Sequence, residues 1–267
     1  MIGSIHTIHI ADRKDREENM KTLNAKLFPL LSQLQLQAER YAPKRFKDKT
    51  TIQNYTFLAV RQTDGRKGCY ESHIHVMKKA LALDDKPALI FEDDAEFASD
   101  LEHTEVSVLF RDALKFIESE EYDILFLGSF PNMFVANETV KVKGFQHIYK
   151  TNPATTHAYI ASVPFMKRMV ERFSQFDGVP IDDFYKSSLI KTFAVYPSIF
   201  MQSLSPSDIA SPMASFISKC GLKNFVWRLA ESYCTSFSMS LKHVLFVTAC
   251  FIMLLYQLSS FDRGFSR

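Results

Sequence analysis

Pro87–Glu96, PALIFEDDAE, constrains the fold of this chain more than any other stretch. Ala88–Phe91 is a short, continuous apolar run of the kind that forms a strand buried on both faces, and it stops abruptly at Glu92, Asp93 and Asp94. In an α/β domain the carboxyl end of a parallel strand opens onto the crevice where ligands sit, so the acids would point into a site. Adjacent carboxylates repel one another unless a cation or a set of donors compensates them. A hard divalent cation such as Mg²⁺ or Mn²⁺, completing its shell with phosphate and water, is the simplest compensator. The alternative is a solvated acidic turn.

The rest of the chain can supply such a domain. Its 267 residues, 46% of them hydrophobic, suffice for one α/β domain with a modest appendage. With 32 basic against 30 acidic residues, the formal charge of +2 is too balanced for a nucleic-acid binder working by phosphate neutralisation. Cys69, Cys220, Cys234 and Cys250 show neither CxxC spacing nor paired histidines, so they indicate no zinc site and no disulfide framework. The N-terminus enters strand-like sequence directly, which argues against a cleaved signal peptide.

Ile5–Ile10 reads as a first strand and the polar segment from Asp12 to about Gln37 as a helix. Arg13 and Arg16, three apart, would share the helix's first turn, either solvated or reaching a diphosphate over the strand end. Phe57–Val60 suggests a second strand, and Gly65–His73, GRKGCYESH, a glycine-permitted loop in which Ser72 caps a helix over Ile74–Leu83. That helix start, lined by Ser72 and His73, would suit an anion or a sugar hydroxyl, or be only a cap beside a buried Cys69. A helix around Val106–Glu118 and a buried strand at Tyr122–Leu127 follow, then a loop-rich or hairpin segment over Phe130–Lys150. Thr155–Ser162 is a strand and Pro164–Phe173 an amphipathic helix with its proline near the start. Asp182 and Asp183 stand before a further helix, as first-turn acids or as a catalytic pair. Strands alternating with helices predict a mostly parallel sheet with right-handed crossovers.

Ser203–Ser218, rich in Ser and Pro, reads as a linker, and Leu222–Leu241 as a segment able to lie along a membrane interface. His243–Leu258 contains no Asp, Glu, Lys or Arg. It approaches the roughly 20 residues that span a ~30 Å hydrocarbon core if flanking residues are included. The organisation expected is therefore a domain over 1–202, a linker and interfacial helix over 203–240, and a membrane anchor over 241–261, inserted after synthesis with the catalytic domain on the cytoplasmic side. A buried terminal helix is the alternative.

Four motifs in order resemble glycosyltransferase family 25, the lipopolysaccharide-biosynthesis and collagen β-galactosyltransferase-like group. They are IHIADRKDR at residues 8–16, GCYESH at 68–73, LIFEDDAEF at 89–97, and HAYIAS with PIDDF at 157–162 and 180–184. The chain departs from the family pattern at His9, where Asn is usual, at Ala11, often Asp, and at Arg66, where many members carry an acid. The resemblance implies a GT-A type fold: a Rossmann-like mixed, mostly parallel sheet flanked by helices, to which the C-terminal apolar helix is added. It implies a metal-dependent enzyme moving a sugar, commonly galactose, from a UDP-sugar to a glycan acceptor on lipid or protein. Mn²⁺, or Mg²⁺, would bridge the diphosphate. On this reading Asp94 is the first metal ligand, Asp93 a second ligand or ribose contact, and Glu92 a further ligand or a loop-orienting residue. His157 is either an additional ligand or a strand histidine packed on the sheet. Arg13 and Arg16 would meet the nucleotide, Ser72 and His73 the sugar, and Asp182 or Asp183 would be the base of an inverting transfer. A sheet of the same type that binds nucleotide sugar without catalysis is the competing expectation.

Overall fold

The computed structural model describes residues 2–9, 14–34, 38–41, 57–131, 139–152, 154–187, 189–203 and 223–235. In chain order its elements are β1 (Ser4–Ile8), α1 (Lys14–Leu34), β2 (Ala38–Tyr41), α2 (Phe57–Leu83), β3 (Ala88–Glu92), β4 (Ala95–Phe97), α3 (His103–Ser119) and β5 (Ile124–Phe130). There follow β6 (Val140–Lys141), β7 (Ile148–Lys150), β8 (Ala154–Ala161), α4 (Val163–Arg172), α5 (Ile181–Tyr185), β9 (Thr192–Val195), β10 (Phe200–Gln202) and α6 (Lys223–Thr235).

The apolar runs feed two separate core layers by alternation. In β3, Leu89 and Phe91 enter a layer with Leu23 and Leu27 of α1 and Phe110 and Phe116 of α3. Ala88 and Ile90 enter the other, with Tyr70, Ile74 and Met77 of α2, Phe165 and Met169 of α4 and Tyr185 of α5. β5 and β8 divide in the same way, Leu125, Leu127 and Ile160 to the first layer, Phe126 and Tyr159 to the second. Because strand side chains alternate with a period of two, covering both faces with helices is what a continuous apolar strand requires.

The sheet has eight strands in the order β2-β1-β3-β8-β5-β9-β7-β6. β1 is parallel to β2 and β3, and β5 to β9. β8 runs antiparallel between β3 and β5, and β7 antiparallel to β9 and β6. The sheet is therefore mixed, with six of its eight strands pointing one way and only β8 and β7 reversed. A second, two-stranded sheet pairs β10 antiparallel with β4, directly after the acid cluster.

Two expectations are corrected by α2. Phe57–Val60 is helical rather than a strand, and Gly65–His73 lies within the helix rather than in a loop before it. Tyr70, Ile74, Met77 and Ala80 form a buried stripe at helical spacing, and packing it outweighs about 1 kcal/mol for each of Gly65 and Gly68. Ser72 accordingly caps nothing; its hydroxyl donates to the Gly68 carbonyl one turn back at 2.5 Å. The expected helix after the acids and the Pro164 helix start are present, and within the segment read as loop-rich or hairpin over Phe130–Lys150, β6 and β7 pair as a hairpin.

Within the span read as linker and interfacial helix, α6 docks on the domain. Trp227 is buried against Phe130 and His157, and Arg228 bonds both oxygens of Asp100 at 2.6 and 3.0 Å. Glu231 accepts the Ser198 amide at 2.8 Å. The anchor expected over 241–261 lies outside the described residues; among the described residues no helix is long and apolar enough to cross a membrane.

Candidate active site

The period of two that builds the core also separates the three acids. Ile90 faces α2, so Glu92 continues toward α2; Phe91 faces α1, so Asp93 continues toward α1. Ile8 pairs with Glu92 in the parallel β1–β3 ladder, which carries His9 alongside Asp93. His9 Nδ1 lies 3.0 Å from Asp93 Oδ2, and Arg16 of α1 is ion-paired to Asp93 Oδ1, all three side chains being buried. Asn19 donates to the carbonyls of Asp93 and Ala95 at 2.9 and 3.0 Å and fixes the backbone of the turn. Asp93 is thus a brace between β1, α1 and the turn after β3. Arg16, expected at a diphosphate, is held on Asp93 with Nη1 3.4 Å from Asp94; Arg13 lies outside the described residues.

Glu92 sits among donors. Thr156 Oγ1 donates to its Oε1 at 2.5 Å, and His73 Nε2 lies 3.3 Å from the same oxygen, too poorly aligned to count as a hydrogen bond. Burial alone would raise its carboxyl, but His73, Thr156 and the charge of His157 outweigh it and hold the group at about 2.

Asp94 has the opposite environment. Its Oδ2 accepts from Gln202 of β10 at 3.1 Å, while Oδ1 is buried with no hydrogen-bond partner. Burial and then the charge of Glu92 push the carboxyl up to about 7, against the lowering influence of Arg16 and Gln202. A buried carboxylate oxygen without a donor, beside other acids, is the group a divalent cation satisfies. Asp94 Oδ1 therefore fits a hard cation as a single ligand.

The later pair is also divided. On α5, Asp183 is exposed and bonded to Lys186 at 2.7 Å, whereas Asp182 is half-buried and raised above the ordinary range by desolvation and then by Asp183. α5 packs against α2 and β8, and the charge of Glu92 raises Asp182 as that of Asp182 raises Cys69. His157 is a packed strand histidine. Its Nε2 meets the Phe200 carbonyl at 3.3 Å, its Nδ1 meets Thr155 Oγ1 at 3.2 Å, and burial lowers it to about 4. Asp94, Asp93, Glu92 and His157 consequently do not gather as one ligand set; among the described residues, the group whose ligand atoms all lie within 4.8 Å is Cys69, His73 and Glu92.

Sequence reasoning missed three contributors. Cys69 read as a small buried hydrophobe, yet Cys-x-x-x-His places both residues on one helix face once the segment is helical. Gln202 and Thr156 carried no local signal, because β10 and β8 reach the acids only through the sheet.

A family model described as Glycosyltransferase family 25 (LPS biosynthesis protein) matches residues 5–185. No curated protein matches the sequence. Among solved structures, a glycosyltransferase involved in glycosylation of the major capsid of PBCV-1 is similar with a TM-score of 0.39 and 7% identity, over 78% of this chain and 96% of that one. UDP-glucose pyrophosphorylase complexed with UDP-glucose is similar with a TM-score of 0.41 and 9% identity, over 83% and 98%. The inositol-1-phosphate CTP transferase from T. maritima gives 0.36 and 11%, over 82% and 96%.

Proposed function

The chain belongs to glycosyltransferase family 25, and from that membership we propose that it moves a sugar from a UDP-sugar to a glycan acceptor on lipid or protein, with a divalent cation assisting. The observation that carries the metal-dependent part is Asp94, whose buried Oδ1 has no partner at the carboxyl end of β3. When bound there, Mn²⁺ or Mg²⁺ would neutralise charge building on the departing diphosphate. Galactose as the sugar and a GT-A type donor site, which the motif resemblance implies, and lipopolysaccharide as the pathway complete the proposal. Membrane attachment through residues 241–261 belongs to it too.

The chain's own residues supply the rest. Arg16, His9 and Asn19 lock Asp93 and the turn, so that Asp94 is presented by a rigid backbone. Gln202 holds the second oxygen of Asp94 and leaves the first free for the cation. Asp182, raised by burial, is the base: the acceptor hydroxyl oxygen bonds to the anomeric carbon while its proton passes to Asp182. The bond between that carbon and the diphosphate breaks, and its electron pair leaves on the phosphate oxygen. Attack from the face opposite the leaving group inverts the anomeric centre.

The test is release of nucleoside diphosphate from UDP-, GDP- and CMP-sugars by the full chain, with Mn²⁺ or with chelator. Metal-dependent release from a UDP-sugar, lost in Asp94→Asn, is expected. Folded protein that turns over no nucleotide sugar under either condition overturns the reading.

A further inference from the structure

His73 is completely buried, and its two ring nitrogens differ in what they meet. Nδ1 lies 2.7 Å from the Tyr159 hydroxyl, which in turn lies 3.3 Å from the Tyr185 hydroxyl. Nε2 has no hydrogen-bond partner and faces Glu92 Oε1 at 3.3 Å. When Nδ1 donates to Tyr159 and Nε2 gives up its proton, as on ion binding, the lone pair falls on Nε2. This is how a metal-ligating histidine is prepared, its outer nitrogen anchored and its inner one bare. One turn earlier on α2, Cys69 brings its Sγ to the same region, so that Sγ, a ring nitrogen of His73 and a Glu92 oxygen all lie within 4.8 Å of one another.

We propose that Cys69, His73 and Glu92 form a binding site for a borderline transition ion, Zn²⁺ being the best fit, distinct from the hard-cation position at Asp94. Tetrahedral zinc bonds to sulfur, nitrogen and oxygen ligands at roughly 2.0–2.3 Å, which sets its ligand atoms roughly 3.3–3.8 Å apart, so the His73–Glu92 separation already matches. A thiolate and an imidazole favour zinc over magnesium or manganese, whose preference is for oxygen. Three protein ligands leave a fourth position for water. Cys69 and Glu92 are half-buried, which gives an ion access, and the thiol proton is released to solvent as the sulfur binds. The site clips the middle of α2 to the end of β3 and holds Glu92 away from Asp94. It does not depend on sugar transfer.

Cobalt is the probe. Chelator-treated full chain is titrated with Co²⁺, and one equivalent should produce thiolate-to-cobalt charge-transfer absorption. That band should vanish in Cys69→Ser, shift to at least tenfold higher cobalt in Tyr159→Phe through the lost anchor of His73, and persist in Asp94→Asn. Excess Zn²⁺ at a hundred times its Kd should raise Tm by roughly 5–10 °C in wild type and not in Cys69→Ser. Should Cys69→Ser fail to fold, alkylation of wild type with peptide mapping decides, because bound zinc must protect Cys69 from iodoacetamide. No charge-transfer band, a band retained in Cys69→Ser, or a Cys69 alkylated equally with and without saturating zinc overturns the site. A missing band with intact turnover sinks this site alone; a band without turnover sinks the transferase proposal alone.

Discussion

His9 and Asp93, 84 residues apart in sequence, meet at 3.0 Å because β1 and β3 are parallel neighbours whose carboxyl ends stop together. The bond uses only one nitrogen of the imidazole, and an asparagine amide could donate along the same line. His9→Asn should therefore keep Tm and turnover close to wild type. His9→Ala removes a charge-assisted hydrogen bond in a buried setting and should cost about 1–3 kcal/mol in denaturant unfolding. An alanine variant as stable as wild type would mean that Arg16 alone secures Asp93.

The environment of Asp94 gives stability a pH dependence of unusual sign. Its carboxyl is raised to about 7 in the folded chain, against 3.8 ordinarily, so between those values the native state holds a proton that the unfolded chain has lost. The Asp94 contribution to the stability of the metal-free protein should fall as pH rises from 5 to 8, by a few kcal/mol at about 1.4 kcal/mol per pKa unit, while His157, lowered from 6.5 to about 4, contributes an opposing rise up to about pH 6.5. Glu92, held at about 2, contributes in the opposite sense and only below its ordinary 4.5, so it leaves this window untouched. Asp94→Asn should remove the falling component, which is read as the difference between the two proteins across the pH range, and unfold later than wild type at pH 8 in chelator. Mg²⁺ should stabilise wild type and not the variant, as followed by thermal unfolding.

Much of this was legible in the sequence, for a physical reason. The run Ala88–Phe91 had to be buried on both faces, which required helices on both sides of a sheet and put the acids at the carboxyl end of one of its inner strands. What local pattern could not say was which way each acid turns. That follows from the register with β1 and from α2, whose glycines suggested a loop until the buried stripe through Tyr70 and Ile74 overrode them. Gln202 was invisible because β10 touches Asp94 only through a two-stranded sheet closed after more than a hundred intervening residues.

Gly128 is set by close approach rather than by its backbone angles. A Cβ there would lie 2.5 Å from the Phe200 carbonyl oxygen and 2.6 Å from His157 Nε2, and the first of these is backbone. Gly128→Ala should push β5 from β10 and cost about 1–3 kcal/mol, measured as a lowered denaturant midpoint with unchanged m. Turnover should fall with it, since β10 carries Gln202.

The contacts of α6 separate two truncations. A chain ending at residue 240 keeps Trp227, Arg228 and Glu231 on the domain and should match full-length Tm; the proposed anchor over 241–261 further requires that this chain not bind lipid vesicles that the full chain binds. A chain ending at residue 222 loses all three contacts and should be strongly destabilised. Trp227→Ala alone, buried against Phe130 and His157, should cost about 3–5 kcal/mol. Equal stability of both truncations would show that α6 contributes nothing to the fold.

Asp182 and Asp183 are adjacent in sequence but chemically unlike, and the transfer should tell them apart. Asp183 spends its charge on Lys186 at the surface, where a single exposed pair is worth ~1 kcal/mol or less. Asp182, half-buried and raised by desolvation, is closer to the pH at which a general base works. Asp182→Asn should lower kcat by about 10²–10⁴-fold with donor KM little changed, and Asp183→Asn should leave both near wild type. Because Asp182 must be ionised to accept the proton, kcat should fall on its acid side at a pH above the ordinary carboxylate value. An Asp182→Asn enzyme with wild-type kcat would move the base elsewhere in the crevice, and equal losses at both positions would mean that α5, rather than one carboxylate, is what the reaction requires.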